Sequence, residues 1–217
     1  MNNYSEQKKA PWSGKKVTKC VIEGGITTIG SYAFADLGEL TEISFPNSIF
    51  QAGEYAFKNC TGLKNIELPE KMEMWKISTG MFEGCTSLET LKLSDNILNI
   101  GKDAFANCTS LRSFTVPEMV TEIEAGTFQN CESLASVTLS ERVERVGKDA
   151  FSGCILTEIQ LPSKVTSIKE NAFSGNKFTE ITLPAALTEL GANAFVGCEQ
   201  LQAISVGEGS ASFSASN

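Results

Sequence analysis

Six times in this 217-residue chain a cysteine stands three residues after a phenylalanine, at Cys60, Cys85, Cys108, Cys131, Cys154 and Cys198. A thiol in so regular a setting could be a nucleophile, a metal ligand or half of a disulfide. Histidine is absent from the sequence, which removes the commonest base near neutral pH and the commonest metal ligand, and with them Ser-His-Asp and Cys-His arrangements. Zinc needs four converging ligands, usually supplied by C-x-x-C pairs, whereas these cysteines form a line of single residues. In stacked repeats their Cα atoms would fall within bridging distance, but parallel side chains disfavour a disulfide. The structural reading remains, in which a free cysteine acts as a small buried hydrophobe. Two repeats carry Leu37 and Asn176 at the same position. Leucine points to a buried slot, and asparagine to one where a polar group finds backbone partners. Cys20 stands apart, in a position that is Ile, Leu, Phe or Val elsewhere. No GxGxxG or GxxxxGK[ST] phosphate loop occurs, and no catalytic residue, metal or cofactor is assigned.

What places the cysteines is a repeat. Phe34, Phe57, Phe82, Phe105, Phe128, Phe151, Phe173 and Phe195 recur at successive intervals of 23, 25, 23, 23, 23, 22 and 22. The residue before each is mostly small, as neighbouring coils in close approach require. Two positions after each Phe only Gly, Asn or Asp occurs, the types that best tolerate a left-handed backbone, so a tight turn is predicted there. A pattern L-x-x-I-x-L follows, as in Leu63-Ile66-Leu68 and Leu134-Val137-Leu139, and reads as a short strand. A second apolar pair precedes the next Phe by eight and five residues, as at Val120 and Ile123. Gly30, Gly53, Gly101, Gly147 and Gly191 are then expected to turn the chain, leading into a short helical or irregular corner. One coil cannot bury its apolar side alone, so stacked coils forming a solenoid are the expected fold. It begins at Val17-Cys20-Ile22 and ends at Leu201-Ile204-Val206, with eight full coils between.

The composite C-x-x-L-x-x-I-x-L-P-x-x-V-T-x-I-G-x-x-A-F-x-x-C resembles the BspA-like, Treponema-type leucine-rich repeat over residues 17–206. The resemblance implies a leucine-rich-repeat solenoid of the α/β class, β-dominated and right-handed, with a parallel concave sheet and short second strands. It also implies carriage on bacterial or protozoan surface proteins that bind host or neighbouring-cell proteins. Residues 1–16 are read as an N-terminal tail and cap in which Trp12 covers the open core. Residues 207–217 are read as a Ser-rich tail cut from a longer protein.

A net charge of -8 and a pI near 4.8, with no basic stripe, argue against a nucleic-acid partner. No apolar run approaches the ~20 residues that span a bilayer, so direct membrane insertion is not expected. The start MNNYSEQKKAPW lacks the features of a signal peptide. A cell-surface or secreted location therefore requires a leader outside this chain, and a cytoplasmic one stays open.

Binding in solenoids belongs to the positions between the scaffold residues. On the first strands these include Glu67, Lys92, Thr115, Thr138, Gln160 and Thr182, a polar face without an aromatic anchor. It reads either as an ordinary solvated sheet or as a broad protein-binding surface. Seven residues before each Phe the sequence runs Thr27, Phe50, Trp75, Leu98, Thr121, Glu144, Thr166, Thr188. Phe50, Trp75 and Leu98 break this polar column in three consecutive coils, and the same region holds a two-residue insertion in PEKMEMWKIS with Met72 beside it. They either fold inward beside Ala52 or form an exposed apolar stripe for a protein, a sugar or a second copy of the chain. The favoured function is a noncatalytic recognition module of an adhesin-like surface protein. A stalk or spacer, and a carbohydrate-binding surface, are the alternatives.

Overall fold

The computed structural model describes residues 2–68 and 76–210. The strands, in chain order, are β1 (Lys19–Val21), β2 (Thr28–Ile29), β3 (Glu42–Ser44), β4 (Gln51–Ala52), β5 (Asn65–Glu67), β6 (Lys76–Ile77), β7 (Thr90–Lys92) and β8 (Asn99–Ile100). They continue as β9 (Ser113–Thr115), β10 (Glu122–Ile123), β11 (Ser136–Thr138), β12 (Arg145–Val146), β13 (Ser167–Ile168), β14 (Glu180–Leu183), β15 (Glu189–Leu190) and β16 (Ala203–Val206). Each coil supplies a first strand and a two-residue second strand, except that residues 158–160 have no strand assignment. Every pairing is parallel and joins equivalent residues of successive coils, such as Val137 with Phe114 and Val146 with Ile168. The chain is thus a parallel β-solenoid of about eight turns, with no helix among the described residues.

The corner at each Phe is a run of turns, and its order comes from packing and backbone bonding together. The eight Phe rings stack in one file, with neighbouring centroids 5.3–5.6 Å apart and planes within 12° of parallel, inside the range where aromatic pairs attract. Each Phe amide from Phe34 to Phe173 donates to the carbonyl of the residue preceding the next Phe, as in Phe128 to Ala150 at 2.8 Å. The predicted left-handed turn is present, with φ of 62° at Asp36, 57° at Asn130 and 72° at Gly153. A second left-handed position lies two residues before each Phe and includes Tyr32 (φ 53°) and Tyr55 (φ 56°). Their side chains incur the steric cost of that conformation, and the two rings stack 4.9 Å apart.

The glycines before the corner serve a different purpose from the turn expected of them. Gly53, Gly101, Gly147 and Gly191 are not in the left-handed region. Instead a Cβ on Gly147 would lie 2.6 Å from the Ala125 amide nitrogen of the preceding coil, while its own amide donates to Ile123 O at 2.7 Å. The absence of a side chain is what permits this contact between backbones.

Sheet continuity also differs from the implied single sheet of first strands. First strands pair two by two, as β1–β3, β5–β7, β9–β11 and β14–β16. The longest sheet is built from second strands, in the order β15-β13-β12-β10-β8-β6, with β2–β4 separate. The break between β4 and β6 falls at the two-residue insertion. The unpaired segment 158–160 follows a corner one residue short, Cys154-Ile155-Leu156. No change of repeat length accompanies the breaks between β3 and β5 or between β7 and β9.

At the N-terminal end Trp12 stacks on Phe34, centroids 5.9 Å apart, and its indole donates to the Ala33 carbonyl. At the other end Leu190, Val196 and Ile204 are exposed, whereas Ile168 and Ile181, the equivalents of Leu190 and Ile204 one coil earlier, are buried.

Candidate recognition surface

The thiols are assigned first, because their geometry decides between scaffold and chemistry. Cys60, Cys85, Cys108, Cys131 and Cys154 are buried, unbridged, and each donates its S–H to the Phe carbonyl of the preceding coil at 3.1–3.2 Å. Cys198 does the same with Phe173 at 3.3 Å. Burial pushes the Cys85 and Cys154 thiols up to about 12, and those of Cys60, Cys108 and Cys131 well above their ordinary value. These groups are protonated hydrogen-bond donors, the opposite of an activated thiolate. Asn176 fills the slot differently. Its Nδ2 donates to the carbonyls of Phe151 and Phe173 at 2.8 and 2.9 Å, and its Oδ1 accepts from the Leu156 amide at 2.9 Å.

In the second-strand column both described members of the apolar stripe point outward. Phe50 is 54% exposed and Leu98 41%, while the flanking Ile49, Ala52, Ile97 and Ile100 are buried. The alternative in which Phe50 turns inward beside Ala52 is not what is observed. Trp75 and Met72 lie outside the described residues. Lys76, which follows Trp75, is in register with Asn99, which follows Leu98. The polar members of the column are exposed as well, and two of them bond along the stack. Thr166 and Thr188 donate their hydroxyls to the carbonyls of Glu144 and Thr166, at 3.3 and 3.1 Å. The backbone is bonded the same way under the apolar stripe, where the Phe50 amide donates to Thr27 O at 3.0 Å.

All six first-strand candidates, Glu67, Lys92, Thr115, Thr138, Gln160 and Thr182, are exposed. Several are engaged with the next coil: Lys92 with Glu67 at 3.0 Å, and Thr182 with Ser205 at 2.9 Å. Thr115 and Thr138 sit opposite each other across β9 and β11. Gln160 lies in the stretch without a strand. Over β1, β3, β5 and β7 the face forms a groove of about 830 Å³ that includes Glu67 and Lys92. Exposed ion pairs of this kind contribute little stability, so they are available to a partner at small cost. Val21, 60% exposed beside this groove, and Met119, 40% exposed, are not singled out by the repeat. Val21 departs from a polar column in one coil only, and Met119 stands in a column of mixed type, so neither carries a periodic signal.

Residues 8–135 and 121–216 match the sequence profile of the BspA type leucine rich repeat region, in six copies. The chain belongs to that family. Among solved structures, this BspA-type repeat chain is similar to a leucine-rich repeat protein from Eubacterium ventriosum, with TM-score 0.59 and 17% identity, over 95% of this chain and 65% of that one. It is similar to the T. pallidum leucine rich repeat protein with TM-score 0.56 and 25% identity, over 63% of each chain. A leucine-rich repeat protein from Bacteroides ovatus matches at TM-score 0.50 and 20% identity, over 87% of this chain and 63% of that one. The chain therefore spans less than two thirds of the length of these relatives. Comparison with curated proteins finds no match. Among the described residues no helix is long and apolar enough to cross a membrane.

Proposed function

We propose that this chain is a noncatalytic protein-recognition module of a bacterial cell-surface, adhesin-like protein, and that its contact surface is centred on Phe50, Trp75, Leu98 and Met72. The observation that carries the reading is the exposure of Phe50 and Leu98 in a column that holds Thr or Glu in the other coils. Such side chains present apolar area to solvent, and covering it releases about 25 cal/mol per Å². Membership of a repeat family associated with surface proteins supports the location and the class of ligand, a host or neighbouring-cell surface protein. The first-strand groove with Glu67 and Lys92 is a polar rim for the same partner.

The test is a binding screen of the intact chain against purified extracellular host proteins, repeated with Phe50, Trp75 and Leu98 all replaced by Thr. Saturable binding that the variant loses, with its unfolding midpoint unchanged, supports the reading. Equal binding by parent and variant overturns the stripe, and no saturable binding overturns recognition. Sedimentation of both proteins separates a foreign partner from self-association through the stripe. A spacer role has one observation in its favour, the uniform Phe file that runs through all eight coils, and it is the reading that survives if nothing binds.

A further inference from the structure

The break between β7 and β9, like that between β3 and β5, falls where the coils are otherwise stacked in register. The repeat is unchanged in length across it, since the interval from Thr90 to Ser113 equals that from Ser113 to Ser136 in the paired strands β9 and β11. On other sides of the same two coils the stacking is intact: Phe82 lies 5.6 Å from Phe105, and Ile100 pairs with Ile123. Yet no ladder joins β7 to β9, and a cleft of about 530 Å³ lies between and beside them. Solvent enters it far enough to leave Leu91 and Leu93 only partly buried, although their equivalents in the coils on either side, Ile66, Leu68, Phe114 and Val116, are buried. Its rim carries Glu89, Asp95 and Glu118. Among the described lining residues Lys92 is the cation, and it is already bonded to Glu67.

We propose that this cleft binds an extended peptide segment of a partner protein, with basic side chains at its rim and apolar ones against Leu91, Leu93 and Phe114. The facing edges of β7 and β9 carry no ladder between them, and an added strand meets such edges through main-chain hydrogen bonds. The alternation of side chains along a strand sends every second residue toward the apolar floor and the others toward the rim. Three rim carboxylates make Lys or Arg the matching charge. This site lies on the first-strand side of the coils and does not use the Phe50 stripe, although it shares Lys92 with the neighbouring first-strand groove.

The probe is a fluorescent synthetic peptide of about nine residues with alternating Lys and Val, long enough to span a strand. It is compared on the unmodified chain with a Glu-Val peptide and with a Lys-Val peptide N-methylated at alternate amides. The Lys-Val peptide is expected to bind saturably and to protect amides within residues 90–95 and 113–118 from hydrogen exchange. The Glu-Val peptide and the N-methylated peptide should each bind about tenfold or more weakly, since one loses the charge match and the other the main-chain donors. Equal affinity for the N-methylated peptide would reduce the effect to charge adsorption and overturn the proposal. So would protection confined to other coils, or no saturable binding of the Lys-Val peptide. Asp95→Lys with Glu118→Lys, both at exposed positions, should reduce affinity for the Lys-Val peptide by about tenfold while the folded midpoint holds.

Discussion

At the Phe corner, seven successive ring pairs keep their centroids 5.3–5.6 Å apart and their planes within 12° of parallel, while on another side of the same coils the first strands pair only two by two. The corner combines a buried ring, a close backbone bond and a thiol or amide reaching the preceding coil, so any change there is felt by neighbours on both sides. The strand faces are joined across coils by exposed side chains and short ladders, and here uniformity lapses, in residue type at Phe50 and Leu98 and in strand pairing at the β7–β9 break. Uniformity marks what holds the stack together, and departure from it marks where a partner could be accommodated. Four measurements test that division.

The largest effect is expected at the centre of the file. Phe128 is fully buried, stacked on both Phe105 and Phe151 and edged by Phe114. Phe128→Ala should lower stability by about 3–5 kcal/mol, because the cavity lies inside the stack where relaxation is limited. A urea midpoint equal to that of the parent would mean that the corner is not the structural spine.

Asn176 gives the next largest. In the other coils with a Cys, the amide of the following Leu closes a turn onto the Cys carbonyl, as in Leu134 to Cys131 at 2.9 Å. The corner Cys154-Ile155-Leu156 is one residue shorter, which leaves the Leu156 amide without that acceptor, and Asn176 Oδ1 of the next coil supplies one. The asparagine therefore compensates for a deletion in its neighbour. Asn176→Leu, which restores the residue type found at Leu37, should still destabilise by about 1–3 kcal/mol, the cost of a buried unpaired amide. If the variant is as stable as the parent, the corner does not need the amide.

How much of this is legible in sequence follows from what repeats. The Phe file, the Cys slot and the turn after each Phe are carried by the same residue types in nearly every coil, so spacing alone exposes them. The left-handed position before each Phe escapes notice because Tyr32, Gly80, Asp103 and Asn171 share no obvious type. The column of Gly147 is conspicuous but points to the wrong cause, since a glycine required for close approach looks the same in sequence as one required for φ. Asn176 reads as able to find backbone partners, but the reason lies in a length change in the preceding coil and becomes visible only when coils are stacked. The outward direction of Phe50 follows from its place between two inward residues, whereas the β7–β9 break leaves no trace in repeat length.

The thiols sharpen the comparison through pH. A thiol held at about 12 in the folded state and near 9 when exposed keeps its proton on folding while the unfolded chain loses it. The folded state therefore binds more protons between those limits, and stability present below pH 9 is lost as pH rises toward 12. Each buried thiol should contribute a fall of about tenfold in the folding equilibrium per pH unit in that window. Cys154→Ala should flatten the alkaline limb by one such contribution, measured as the midpoint in urea at a series of pH values. Native Cys108, Cys131 and Cys154 should also react slowly with thiol reagents and quickly in denaturant. An alkaline limb unchanged in Cys154→Ala, or fast native labelling, would place the thiols at the surface.

The smallest effect is expected where the column departs from Thr. Replacing Phe50 and Leu98 by Thr removes side chains that are exposed and leaves the Phe50 amide bond to Thr27 intact. Thr166 and Thr188 show what the new residues can do, since both donate their hydroxyls to the preceding coil's carbonyl. A Thr at position 50 has the Thr27 carbonyl in the same relation, so the lost apolar contact is offset by a bond already used elsewhere in the column. Surface changes of this kind stay within about 0.5 kcal/mol, and the slope of the urea transition should not change, because no buried area is exposed. A loss beyond about 2 kcal/mol for the pair, four times that surface range, would show that these side chains support the coils beneath them. The distinction between a repeating spine and a variable face would then fail at the position where the variable face is most apolar.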